Sequence, residues 1–213
     1  MTDTRSTLWP LVHTERAALA ADIAELTETE WNTPSLCEGL TVREVLAHVT
    51  AGASLTPARW LAGVVRCRFD FDRQVELRLR EQLGTDAGET LQRFRRIVDS
   101  TTKPPLPVVA MLGEVVVHGE DIRRPLGVRR DHPVDTLTHV AHHYQSSNLV
   151  LPSGKRAEGL RLMATDGPFA AGSGPVVAGP VLALVMALAG RSGYCDELTG
   201  DGVDTLRERC ARV

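Results

Sequence analysis

His48, Glu114 and His118 are the residues whose types and spacing point most directly to chemistry. Glu114 and His118 stand four residues apart in an apolar stretch running from Met111 to Arg124, so on a helix both project from one face. His48 lies in a second helical pattern, Thr41 to Thr50. Two imidazoles and one carboxylate suit a divalent transition metal such as zinc, and three protein ligands leave a coordination position open for a reacting molecule. A lone histidine on a helix is more often a packed or solvated side chain. Here, however, Val45, His48, Gly52 and Leu55 form one helical stripe, and Met111, Glu114, His118 and Asp121 form another. Both stripes carry polar groups among apolar ones, which is costly to bury without partners, and a shared metal is the simplest common explanation.

The elements that must position these groups read as helices. A first helix is expected over about Thr7 to Thr27, with Leu8, Val12, Leu19, Ile23 and Leu26 on one stripe. Trp31 to Leu40 interrupts, with Pro34 and Gly39 as loop markers. The next helix opens on a capping box, Thr41 with Glu44, and should reach Leu61. Charged helices follow over Phe71 to Leu83 and Thr90 to Val98, separated by Gly84 to Gly88, and the Glu114 helix should stop near Pro125 and Gly127. A helix over Val134 to Leu149 would turn Leu137, Val140 and Tyr144 inward. It leaves His139, His142 and His143 on a flank, a rival ligand set without a carboxylate in register. From Lys155 the character changes. Gly159 to Gly167 reads as a short strand, a Gly and Pro-rich segment follows, then an apolar helix over Val181 to Ala189 and a final helix from Val203. Gly172-Ser-Gly174 with Gly179 lacks the spacing of a phosphate-binding loop and reads as a turn. The expected organisation is thus residues 1–152, helical and metal-binding, and 153–213, a small α+β domain.

At 213 residues the chain can bury a substantial core. Lys plus Arg total 24 against 27 Asp plus Glu, a net charge of −3, which provides no basic field for nucleic acid. The first eight residues hold no apolar leader core and no apolar run is long enough to span a bilayer, so a soluble, cytoplasmic protein is expected. Cys37, Cys67, Cys195 and Cys210 form no CxxC pair and read as reduced and structural or incidental. Nothing distinguishes a monomer from a homodimer.

The pattern W-x-x-P-S-x-C-x-G-x-x-V-R-x-V-x-A-H from Trp31 to His48, with E-x-x-x-H-G-x-D from Glu114 to Asp121, resembles the DinB-like superfamily and, within it, the mycothiol-dependent maleylpyruvate isomerase family. Ala164 to Gly167, Ala189 to Arg191 and Leu198 to Gly202 are similar to the C-terminal domain of that family. The resemblance implies a mainly α protein, an antiparallel four-helix bundle with a small α+β C-terminal domain. It also implies a metal at His48, Glu114 and His118 and, at the open position, the thiol of mycothiol as cosubstrate. Arg191 matches the position expected to bind a substrate carboxylate, and equally suits capping of the preceding helix's carbonyls.

A zinc ion with two neutral histidines and one glutamate favours a bound thiolate near neutral pH, and that thiolate is the nucleophile. Addition to an activated double bond followed by rotation and elimination isomerises the substrate; an adduct that persists makes the protein an S-transferase. Two other classes remain open at this stage. One is a metal-dependent hydrolase with Glu44, Glu120 or Asp121 as base, and the other a non-catalytic metal- or thiol-binding protein. Glu44 is otherwise explained by the capping box, Glu120 by a surface position and Asp121 by support of a ligand histidine.

Overall fold

The computed structural model describes residues 8–149 and 151–211. The leader reading of the first eight residues and the Thr7 helix start therefore lie wholly or partly outside the described residues. By internal contacts the chain divides at Arg129/Arg130 into two compact units.

In the first unit the helices are α1 (Trp9–Asp22), α2 (Glu28–Trp31), α3 (Val42–Ser54), α4 (Pro57–Arg66), α5 (Phe71–Gln82), α6 (Ala87–Arg95) and α7 (Val108–Arg123). The long first helix expected to Thr27 ends at Asp22. A new turn starts from Thr27, whose hydroxyl and backbone N–H close a capping box with Glu30. The helix expected to run to Leu61 likewise ends at Ser54. Pro57 lacks an N–H and disfavours helical backbone at Thr56, so Thr56 becomes the N-cap of a separate helix and its hydroxyl accepts from the Arg59 N–H. Helix α3 is the hub: it packs against α5, α6 and α7, while α1 closes the bundle against α6 and α7. Val12, Leu19, Val45, Leu46, Phe94, Leu112 and Val116 form its dry centre.

In the second unit α8 (Val134–Tyr144) and α9 (Ser153–Ala157) precede β1 (Arg161–Ala164), β2 (Ala170–Gly172) and β3 (Val176–Gly179). Helix α10 (Val181–Leu188), a 3₁₀ turn (Ser192–Glu197) and α11 (Val203–Cys210) complete it. The strand order is β2-β1-β3, with β1 antiparallel to β2 and parallel to β3. Only β1 was legible beforehand, because β2 and β3 are three and four residues long and rich in Gly and Ala. Helix α8, counted with residues 1–152 on sequence grounds, packs on α10 within this second unit. Its Leu137, Val140 and Tyr144 are buried as expected, and it stops at Tyr144 rather than Leu149. Helix α10 is apolar on all sides and forms the centre of the unit, and Asp166 caps it by accepting from the Val181 N–H at 2.9 Å.

The Gly172-Ser-Gly174 segment is a tight turn leaving β2. Gly172 has φ +76°, and a Cβ there would lie 2.1 Å from the carbonyl oxygen of Leu160. Gly172→Ala is therefore expected to cost roughly 2–4 kcal/mol, combining left-handed strain with backbone overlap. Denaturant unfolding followed by near-UV circular dichroism measures it, and an unchanged midpoint would contradict this account of the turn.

Candidate functional site

Helix α7 is buried around almost its whole circumference, from Met111 through Ile122, and only Glu114 and His118 break the pattern on one face. Opposite them stands His48 of α3. His48 Nε2 lies 2.9 Å from Glu114 Oε1, and His118 Nε2 lies 3.8 Å from the same oxygen. The two imidazole rings meet edge to face with centroids 4.8 Å apart. One ligand atom from each of the three residues lies within 4.8 Å of the others. All three side chains are 14–22% exposed, so they sit in the wall of an opening rather than in a sealed core. Gly52, one turn beyond His48, leaves room there: a Cβ at Gly52 would approach Glu114 Oε1 at 3.8 Å.

The groups behind the three residues orient them. Asp121 is fully buried and its Oδ2 lies 2.9 Å from His118 Nδ1. A carboxylate accepts here, so Nδ1 donates to Asp121, and Nε2 is left directed toward Glu114. Arg16 of α1 is also buried, donating from Nη1 to the carbonyls of Ile97 and Ser100 at 3.1 and 2.8 Å. Burial pulls its guanidinium down to about 10, with the Glu114 carboxylate acting in the opposite direction. Arg16 is thus a counter-charge for Glu114 supplied by a distant helix. Sequence reading missed it, since a single Arg on a helix carries no signal of burial.

The loop between α2 and α3 closes the site from another side. Ser35 accepts from the Cys37 N–H at 3.1 Å and donates to the Leu40 carbonyl at 2.7 Å, while the Leu36 N–H donates to the Asp121 carbonyl at 3.1 Å. The last bond pins the loop on α7 and brings Cys37 beside His118 and Asp121, so those three also form a group with ligand atoms within 4.8 Å of one another. Cys37, read as structural or incidental, therefore belongs to the neighbourhood of the site. Cys67, Cys195 and Cys210 are buried elsewhere. Gly119 of the H-G-x-D segment makes room for Arg123, since a Cβ would fall 2.6 Å from Nη1 of that buried guanidinium, which is held by Asp22 at 2.8 Å.

The rival histidines do not converge. His139 and His142 are exposed, His142 stands edge-on to Phe169, and none of the three belongs to a ligand group among the described residues. Partial burial holds the His143 imidazole below its ordinary range. Arg191, at the end of α10, donates from Nη1 to the Ala189 carbonyl at 2.7 Å, the geometry of a helix C-terminal cap. Of the proposed bases, Glu44 is engaged in the capping box, its Oε2 accepting from Thr41 N–H and Oγ1 at 2.8 Å each. Glu120 is buried with Arg123 Nη1 at 3.5 Å.

A cavity of about 110 Å³ opens beside His48, walled by α3, α4 and α5. No helix among the described residues is long and apolar enough to cross a membrane.

Residues 12–104 match the family model of the mycothiol maleylpyruvate isomerase N-terminal domain, a span that includes His48 and ends before Glu114. Two crystal structures, of the mycothiol-dependent maleylpyruvate isomerase and of a histidine-to-alanine variant of it, superpose with a TM-score of 0.63 at 16% identity. In each case 93% of both chains is covered. A comparison with curated proteins found no significant match. At that identity the superposition establishes the fold, which is DinB-like and mainly helical with a small three-stranded sheet. Residues 12–104 are thus similar to the N-terminal domain of the mycothiol maleylpyruvate isomerase family, the likeness that the motifs of this segment also suggested.

Proposed function

We propose that the chain is a metal- and mycothiol-dependent enzyme that adds a small-molecule thiol to an electrophilic carbon, with a cis–trans isomer or an S-adduct as product. The observation that carries this reading is the convergence of His48, Glu114 and His118 from two helices on one point in the wall of an opening. Two nitrogen donors and one carboxylate fit zinc, and these three residues would hold it. A bound zinc ion supplies positive charge that favours the thiolate form of a thiol near neutral pH. The matched family and the two similar structures are named for mycothiol, which supports that thiol as cosubstrate.

The chain's own residues then have definite tasks. Asp121 holds the His118 Nδ1 proton and so presents Nε2 as a lone pair. Arg16 counters the Glu114 charge from within the bundle. In the reaction a sulfur–carbon bond forms at the electrophilic carbon while the carbon–carbon π pair moves toward an adjoining carbonyl. Rotation about the resulting single bond and return of the electron pair expel the thiol and leave an isomer of unchanged mass. Protonation of the α carbon from solvent instead retains the adduct. A hydrolase would need a carboxylate base free to accept a proton from water. The commitment of Glu44 to its cap, of Asp121 to His118 and of Glu120 to Arg123 favours the thiol reading.

Elemental analysis of purified protein is expected to give about one zinc per chain, the stoichiometry of a single three-ligand site. Asp121→Ala should weaken metal binding about 10- to 100-fold, and His48→Ala, Glu114→Ala or His118→Ala more than that. Cys37→Ser and the joint replacement of His139, His142 and His143 should leave occupancy unchanged; dependence on those histidines but not on His48 would show the ligand set to be wrong.

Mycothiol-dependent turnover of maleylpyruvate or of another electrophile, followed by mass spectrometry, separates an isomer from an adduct. Because the nucleophilic sulfur comes from outside, a variant lacking all four cysteines should retain this activity, and selective loss of turnover with intact metal binding would refute that.

Arg191→Lys is expected to keep metal and thiol binding but lower kcat/KM for a carboxylated substrate, since lysine keeps the charge without the guanidinium fork. Unchanged kinetics would leave Arg191 with its capping role alone.

A further inference from the structure

The second unit holds a pair of nucleophilic groups far from the metal-type cluster in sequence and outside its chemistry. Cys195 lies in the 3₁₀ turn and Cys210 is the last residue of α11; they are 1% and 7% exposed, and a hydrogen bond joins the two sulfurs. Independent contacts fix that meeting. Helix α11 packs on both the turn and α10. Arg207, one helical turn before Cys210, holds Asp196, the neighbour of Cys195, at 2.8 Å. Cys210 Sγ also donates to the Ala187 carbonyl at 3.1 Å. Arg156 of α9, 4% exposed, donates from Nη1 to the Leu188 carbonyl at 3.1 Å and from Nε to the Arg209 carbonyl at 3.4 Å, and Arg209 Nη1 donates back to the Arg156 carbonyl at 2.7 Å.

A buried cysteine usually serves as a small apolar filler. Here two sulfurs touch, and guanidinium groups stand beside one of them. The bond from Cys195 holds the Cys210 thiol below its ordinary range, with burial opposing and the charges of Arg156 and Arg207 assisting; the same bond, together with burial, pushes the Cys195 thiol up. One sulfur is disposed toward the thiolate and the other keeps its proton, the division of labour between an attacking and a resolving cysteine.

We infer that Cys195 and Cys210 form a redox-active dithiol site that takes a small hydroperoxide as oxidant and closes to a disulfide. Cys210 attacks, being the more exposed of the two and at a helix end, where the last turn opens most readily. The narrow access favours an oxidant the size of hydrogen peroxide over a bulkier disulfide. The Cys210 thiolate bonds to one peroxide oxygen, the oxygen–oxygen bond breaks, and the departing hydroxide takes up a proton as water, leaving a sulfenic acid. The Cys195 sulfur then attacks Cys210 Sγ, and its proton leaves with the hydroxyl as a second water. The two thiols are oxidised by two electrons and the peroxide is reduced by the same number. The disulfide ties the 3₁₀ turn, which begins directly after Arg191, to α11. Nothing in this step rests on the thiol-addition reading.

The test uses the full chain in reduced form with hydrogen peroxide as the probe, followed by alkylation, trypsin digestion and mass spectrometry without reductant. Cleavage after Arg191, Arg207 and Arg209 places the two cysteines on separate peptides. The expected product is those peptides joined, two hydrogens lighter than their sum and separated again by dithiothreitol, while Cys67, buried to a similar degree, remains open to alkylation after unfolding. Cys195→Ser should stop at a Cys210 sulfenic acid that dimedone traps, and Cys210→Ser should slow oxidation of Cys195 by about tenfold or more. Should either variant fail to fold, the peptide map of the unaltered chain still decides. Cys195 and Cys210 both fully alkylated after peroxide treatment, a cross-link to another cysteine in place of theirs, or Cys67 oxidised as fast as the pair would overturn the inference.

Discussion

Two imidazoles and two carboxylates placed on otherwise apolar helix faces create the electrostatic problem that the rest of the first unit answers. Removing such groups from water is costly unless they meet partners in good geometry. The partners come from each other: Asp121 holds His118, and Glu114 stands between His118 and His48. The Arg16 guanidinium, reaching in from α1, adds the opposite charge. Each member is useful only if α1, α3 and α7 hold their relative rotation, so the polar cluster and the apolar packing of the bundle constrain one another.

The loop from Thr33 to Thr41 shows how a local motif does long-range work. Its hydroxyl and backbone bonds close the loop on itself, the Leu36 N–H ties it to the end of α7, and the capping box at Thr41 and Glu44 starts α3 at a defined place. One short segment therefore sets the start of the helix that carries His48 and covers the buried side of Asp121. It also delivers Cys37 to the margin of the site, a placement that serine–backbone bonding explains and cysteine spacing does not.

On the open side, α4 and α5 turn a metal-type cluster into a site with shape. The break at Pro57 redirects the chain after α3, so that Trp60 and the α5 residues Phe71, Gln74 and Arg78 face the His48 end of α3 across a small cavity. Without that break a continuous helix to Leu61 would carry Trp60 along the axis of α3 instead of across the cavity from it. The second unit is built on a different principle, a short mixed sheet and α8 gathered around the all-apolar α10.

Helical periodicity and caps made much of the bundle legible beforehand, because an amphipathic face and an N-cap are local signals written in neighbouring residues. Spacing alone placed Glu114 and His118 on one face, and the stripe logic paired them with His48, whose side chain does meet theirs. Prolines and capping hydroxyls at Thr27 and Thr56 were equally local but were outweighed by the longer apolar pattern around them. Other features were not written locally at all. The burial of Arg16, the approach of Cys37 to Asp121, the meeting of Cys195 and Cys210, and the packing of α8 on α10 all depend on which surfaces meet. The residue types and the helix faces that carry them were thus determined by the sequence itself. Only the tertiary structure decided which charges share one desolvated space, because desolvation depends on the packing of segments far apart in the chain.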